Sequence, residues 1–200
     1  MILFPQGINI TRTEHLCLLY VEADPEQWLE DTITEKAYRR RSSLIGEWHQ
    51  RLFDDPTITD LPADADMLAQ LILVHPDYRS RVQMDAAGKP PEPVHTNNKD
   101  RYEAVTRRTD VVLFRGGVPI SDTAAGCILA YVQDLEDWVL GALLGQINRG
   151  KKKMLTQYHP VLMADPAVLT FPASEDGLIT AITARADYMT LPAQQDVTNE

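Results

Sequence analysis

The chain has 200 residues, 44% of them hydrophobic and 24% charged, with a formal net charge of −10 at neutral pH. This balance fits a folded chain in water rather than a disordered one, and the charge disfavours nucleic-acid binding over the whole surface. No apolar run reaches the roughly 18–20 residues that span a bilayer, and Met1 to Ile10 lacks the basic and long apolar regions of a signal peptide, so the cytoplasm is the expected compartment and no membrane partner is expected.

The strongest pattern is internal. Residues 1–78 and 111–188 align without a gap at an offset of 110, with 22 identities in 78 positions. Unrelated segments would match at roughly 6%. Solenoid repeats run at about 20–50 residues, so the offset predicts a tandem duplication of a whole unit.

Each copy opens on a short apolar run, Ile2-Leu3-Phe4 or Val111-Val112-Leu113-Phe114, followed by an aligned glycine (Gly7, Gly117) and a second run ending at Ile10 or Ile120. A short strand or hairpin is expected there, and because two isolated strands are marginal, pairing across the copies is one way to complete them. Next, Leu16 to Val21 is ambiguous alone, but Ala124, Ile128, Tyr131, Val132, Leu135, Trp138 and Val139 recur at helical spacing. A helix is therefore expected in both copies, capped in the second by Ser121 or Asp122.

Asp24-Pro25-Glu26 reads as an N-cap, a proline at the first helical position and an early acid. It opens a long helix over about Pro25 to Phe53, echoed by Leu135 to Tyr158. Asp134-Leu135-Glu136 lacks the proline, which suggests that the first two helices of the second copy run together. The expected buried stripe is Trp28, Ile33, Ala37, Leu44, Ile45, Trp48 and Leu52, echoed by Trp138, Leu143, Ile147, Met154, Leu155, Tyr158 and Leu162. Pro160 should end or kink the second long helix early. Asp55-Pro56 and Asp165-Pro166 then stop the helices, and a third helix follows Pro62-Ala63 or Pro172-Ala173, running to about Val74 or Ala184.

The predicted fold is thus mainly α: a tandem duplication of a three-helix unit with a short β-strand or hairpin at the start of each copy. The boundaries are 1–82 for the first repeat, 83–110 for a proline-, glycine- and asparagine-bearing linker, 111–190 for the second repeat and 191–200 for a frayed tail.

Chemistry-bearing motifs are sparse. His49 and His159 align, as do Asp55 and Asp165, but the spacing is not that of a metal site, and helix packing and turn formation account for them more simply. Cys17 and Cys127 align too and read as small buried hydrophobes. Asp77-Tyr78 and Asp187-Tyr188 read as a tyrosine closing the third helix onto the core. No phosphate loop, nucleophile elbow or Cys-x-x-Cys is present, so neither an enzyme nor a cofactor is expected. What remains is a pair of aligned basic clusters, Arg39, Arg40 and Arg41 with Arg149, Lys151, Lys152 and Lys153, holding 7 of the 19 basic residues. Pairing with Glu35 or Glu47 on the same helix is the simplest role; the functional alternative is contact with an acidic partner, made twice.

One longer order of residues carries a resemblance. Trp28, the basic run, Glu47-Trp48, Leu52-Phe53-Asp54-Asp55-Pro56, Leu61-Pro62-Ala63 and His75-Pro76-Asp77-Tyr78 together resemble small uncharacterised proteins encoded in phage and prophage structural (tail-region) gene clusters. Trp138 to Tyr188 shares the order, with Tyr158 for the tryptophan and Ala186 for the proline. The resemblance implies a virion or tail-assembly context, with other proteins as partners and homo-oligomerisation as an option; it assigns no residue a role. The reading at this level is a non-enzymatic interaction or assembly protein. The alternative is a nucleic-acid-binding regulator that uses the two basic clusters.

Overall fold

A computed structural model describes residues 1–88, 111–168 and 170–198. The linker expected at 83–110 lies outside them, except for its first six residues. Four short strands, β1 (Ile2–Leu3), β2 (Ile8–Ile10), β3 (Val111–Leu113) and β4 (Val118–Pro119), accompany eight helices among the described residues. The helices are α1 (Arg12–Val21), α2 (Pro25–Asp54), α3 (Ala65–Val74), α4 (Arg81–Ala86), α5 (Asp122–Leu129), α6 (Leu135–Ala164), α7 (Glu175–Thr183) and α8 (Leu191–Thr198). The chain is mainly helical, as predicted.

The strands do not form hairpins of their own. β1 pairs antiparallel with β4 (Ile2↔Pro119, Leu3↔Val118), and β2 pairs with β3 (Ile8↔Leu113, Asn9↔Val112, Ile10↔Val111). Adding 110 to Ile2 and subtracting it from Pro119 gives Val112 and Asn9, which are partners in the other ladder. The turns match as well. Phe4 and Phe114 both take positive φ (49° and 51°), as do Gly7 and Gly117 (78° and 77°). Each glycine N–H closes on the phenylalanine carbonyl at 2.7 Å. A Cβ on Gly7 would sit 2.7 Å from the Leu113 carbonyl oxygen, so the crossing of the strands requires glycine. Phenylalanine at positive φ is strained, and each is held by a carboxylate from the opposite half. The Phe114 N–H donates to Glu26 Oε1 at 2.8 Å, and the Phe4 N–H to Glu136 Oε1 at 3.3 Å.

Local signals start the helices. Thr11 and Glu14 form a reciprocal capping box on α1, Asp24 accepts from the Glu26 and Gln27 N–H groups, and Ser121 caps α5. Asp134 caps α6 by accepting from the Asp137 N–H, so the first two helices of the second half are separate and not run together. α6 also continues through Pro160 to Ala164, which corrects the expected early end. Pro160 and Thr156, whose carbonyl would otherwise accept the missing bond, both face solvent. Water can satisfy that carbonyl while Tyr158 and Leu162 stay buried.

Each half has a fourth short helix, so the three-helix unit was one helix short. Ser80 and Gln83 form a capping box on α4 within the segment expected to lead into the linker, and α8 occupies residues expected as a frayed tail. Most of the predicted stripe is buried: Ile33, Ala37, Leu44, Trp48 and Leu52 on α2, and Leu143, Ile147, Met154, Tyr158 and Leu162 on α6. The stripe is shifted by a residue near its start, where Leu29 and Val139 are buried and Trp28 and Trp138 only half-buried.

The packing partners cross between the halves. α1 lies on α6, α7 and α8, whereas α5 lies on α2 and α3. One lobe joins Leu44, Trp48, Leu52, Ala69 and Ile72 to Cys127 and Ala130 from the other half. The second lobe and the strands share a larger core, in which Cys17, Leu18 and Tyr20 of α1 meet Leu143, Met154, Tyr158, Ile179 and Ile182. Truncating a side chain such as Leu143 to alanine there costs about 2–5 kcal/mol.

Candidate interaction surface

The sequence singled out seven cations, and their surroundings divide them. Arg39 pairs with Glu35 one turn earlier on α2, the simple role expected for the cluster. Arg40 stacks its guanidinium over the Tyr131 ring at 4.4 Å from the centroid. The Tyr131 hydroxyl donates to Glu47 Oε1 at 2.8 Å, and burial together with that carboxylate raises its pKa. Arg41 pairs with Asp66 at the start of α3, and Lys151, its counterpart at the 110-residue offset, pairs with Glu175 at the start of α7. These two pairs tie each long helix to its third helix and place the acid near a helix N-terminus, where the dipole favours it.

Three cations remain. Among the described residues Arg149, Lys152 and Lys153 make no ion pair or hydrogen bond, and all are exposed. Their i, i+3, i+4 spacing puts them on one face of α6. The same face of α2 carries Arg39, already paired, then Ser42 and Ser43, whose hydroxyls donate back to the Tyr38 and Arg39 carbonyls. The clusters are therefore aligned in sequence but only one offers free charge.

The histidines do not converge on a site. His49 and His159 are both exposed, and His159 makes an edge contact with Phe171 at 5.2 Å between centroids. Among the described residues no group of three or more His, Cys, Asp or Glu is placed to hold a metal. Both cysteines are free and buried, and burial pushes the Cys17 thiol up to about 12. No helix of the described residues is long and apolar enough to cross a membrane.

Asp55 and Asp165 do more than form turns. Asp55 Oδ1 accepts from the Thr57 N–H and hydroxyl at 2.8 and 2.7 Å, and its Oδ2 lies 3.0 Å from His75 Nε2. Asp165 Oδ1 accepts from the Ala167 N–H at 2.9 Å, and its Oδ2 pairs with Arg185 at 2.6 Å. The position after the third helix thus carries a cation-capable partner in both halves, His75 in one and Arg185 in the other, which identity matching alone had missed. Donation from Thr57 and then His75 lowers the Asp55 carboxyl to about 2, and donation from Ala167 and Arg185 lowers Asp165. Because the Asp77 N–H donates to His75 Nδ1 at 3.1 Å, the proton facing Asp55 sits on Nε2.

Beside each of these two staples, Asp55–His75 and Asp165–Arg185, lies an aromatic group. Trp48 meets His75 and Tyr78 at 5.2 and 6.1 Å between centroids, while Tyr158, Tyr188 and Tyr20 meet one another at 5.7–6.3 Å. Tyr78 and Tyr188 close the third helices onto the core, as the sequence indicated. At the ends of the long helices, Phe53 and Met163 occupy matching positions and stay 71% and 66% exposed. No protein-family model, curated protein or solved structure matches this chain.

Proposed function

We propose that the protein is a non-enzymatic interaction or assembly component, a tandem duplication that reproduces a two-fold dimer within one chain. Its expected setting is that of the phage and prophage structural-gene proteins that it resembles, with other virion proteins as partners. The observation that carries the reading is the reciprocal exchange: strand registers, turn conformations, carboxylate locks and the packing of each first helix on the other half's long and third helices recur at the 110-residue offset. Such an exchange is how an isologous dimer interface looks after its two chains are joined. A fused dimer can keep one surface and specialise the other, and the free cations of α6 are the surface where the halves diverge.

A photo-crosslinking residue at Thr156, one turn beyond Lys152 on the same exposed face, tests this in the source cell. The expected product is a covalent adduct with one acidic protein, lost when Arg149, Lys152 and Lys153 are changed to glutamine. Adducts independent of those cations, or none at all, would overturn the reading. A second reading, a nucleic-acid-binding regulator, is favoured by the same unpaired cations. Fluorescence anisotropy with generic duplex DNA at low salt decides it: phosphate contacts must weaken with salt and with the glutamine changes.

A further inference from the structure

A cavity of about 380 Å³ opens between α2 and the connection from β4 into α5. Sites for small molecules begin at about 300 Å³, so the space suffices for a compact organic molecule. Its apolar wall comes from Ile33, Ala37, Val118, Ile120 and Cys127, all buried. Its polar groups are Glu30, Thr34, Tyr38, the Ser121 and Thr123 hydroxyls at the start of α5, and the Arg41–Asp66 pair. Arg41 is committed to Asp66, so the lining carries one carboxylate in excess. That carboxylate is Glu30, which is half-buried and, among the described residues, has no hydrogen-bond or ion-pair partner.

Water meets the half-buried Glu30 carboxylate, and a guest that displaces this water must offer a cation or donor in its place. An anionic guest would face Glu30 directly, and a purely apolar guest would strip water from Glu30 without replacing it. A guest with an ammonium group on an apolar body satisfies both parts of the lining. The other half shows that the fold does not need this arrangement: at the matching positions it has Leu140 and Leu144 for Glu30 and Thr34, and Leu140 is buried.

We propose that this cavity is a binding site for a small organic cation, a primary ammonium on a compact apolar body, with Glu30 as its counter-ion. The proposal goes beyond the assembly reading and does not depend on it.

Benzylammonium is the probe, with benzoate and benzyl alcohol as its anionic and neutral analogues, titrated into methyl-labelled full-length protein and followed by NMR. Expected are saturable shifts at Ile33, Val118 and Ile120 with a dissociation constant of about 0.1–1 mM, a size-appropriate affinity for so few atoms. Benzoate should bind about tenfold more weakly or not at all. Glu30→Gln should weaken benzylammonium about tenfold and leave benzyl alcohol unchanged, and Glu30→Leu with Thr34→Leu should abolish the benzylammonium shifts. Unsaturable shifts, equal binding of benzoate, or benzylammonium binding unaffected by Glu30→Gln would each overturn the proposal. The analogue comparison on unmodified protein keeps the test valid even if the double variant misfolds.

Discussion

The lobe built on α2 and the lobe built on α6 differ most where a helix from the other half crosses the long helix. α1 crosses α6 at Gly150, so closely that a Cβ there would run into the Cys17 carbonyl. At the matching position α2 has Arg40, which spreads its guanidinium over Tyr131, just beyond the end of α5. Where α5 meets α3, the sizes reverse. Gly126 on α5 accepts Leu73, with a virtual Cβ only 2.6 Å from its Cδ1, whereas the matching residues in the other lobe are Leu16 and Thr183. The α6 lobe is thus closest where α1 meets the long helix, and the α2 lobe where α5 meets the third helix. Large-for-small changes that compensate across a contact teach that α1 and α5 are fitted to the half they join, not to the half they come from.

Forcing the lobes to be alike should therefore be damaging, and most so at Gly150. Changing Gly150 to alanine sets a side chain against backbone, which cannot rotate away, so α1 must lift from α6. A loss of about 2–4 kcal/mol in urea unfolding is expected, although alanine ordinarily favours a helix over glycine by about 1 kcal/mol. A stabilised Gly150→Ala protein would mean that α1 does not approach there. The reverse substitution, Arg40→Gly, should cost less, about 1–2 kcal/mol for the lost stacking and helix propensity.

The second crossing tests the exchange itself. Gly126→Leu should destabilise by about 1–3 kcal/mol through overpacking against Leu73. Adding Leu73→Thr, which recreates the other lobe's pairing, should recover part of the loss, with a coupling of at least about 0.5 kcal/mol in the double-mutant cycle. Additive effects would show that the two residues do not touch, and that α5 packs elsewhere than on α3.

These crossings also mark what the sequence could and could not convey. Periodicity names the buried face of a helix, so Leu44, Trp48, Leu52 and their echoes were legible from one chain. It does not name the partner, because the same stripe on α2 would suit α1 or α5 equally well. Gly150 was the available clue, a glycine amid lysines in a long helix with no turn to explain it. Pro160 was overread because a proline's clash is local, and a solvent-facing carbonyl lowers its cost. The staples were half legible: Asp55 and Asp165 repeat, but His75 and Arg185 share charge capacity and not identity. The cavity was hidden, since Glu30 and Thr34 look like an ordinary polar face until their counterparts prove to be leucines.

The two ends of the pH scale probe the lobes in different ways. The folded Asp55 carboxyl titrates near 2, below its ordinary value, so its contribution is present above about pH 4 and is lost as pH falls toward 2. Asp55→Asn should flatten that acid limb in a melting-temperature profile, and an unchanged limb would remove Asp55 as its cause. On the alkaline side, burial holds the Cys17 thiol up to about 12 from an ordinary 9.0, so stability is lost progressively as pH rises between those values. Cys17→Ala should shallow the alkaline limb, although the lost sulfur contact lowers the plateau.

The smallest stability effect should fall on the surface where the lobes differ in charge. Replacing Arg149, Lys152 and Lys153 with glutamine removes no ion pair or hydrogen bond among the described residues, so urea unfolding should shift by no more than about 0.5 kcal/mol. Replacing Arg41 and Lys151 instead breaks the ties to α3 and α7, and exposed pairs of this kind contribute about 0.2–1 kcal/mol each. The two sets of variants separate structure from recognition. If the α6 face serves a partner, its glutamine variant loses cross-linking with its fold intact, while the Arg41 and Lys151 variants lose stability and keep cross-linking. If both sets move together, the cations of α6 act through the fold, and the difference between the lobes is one of packing alone.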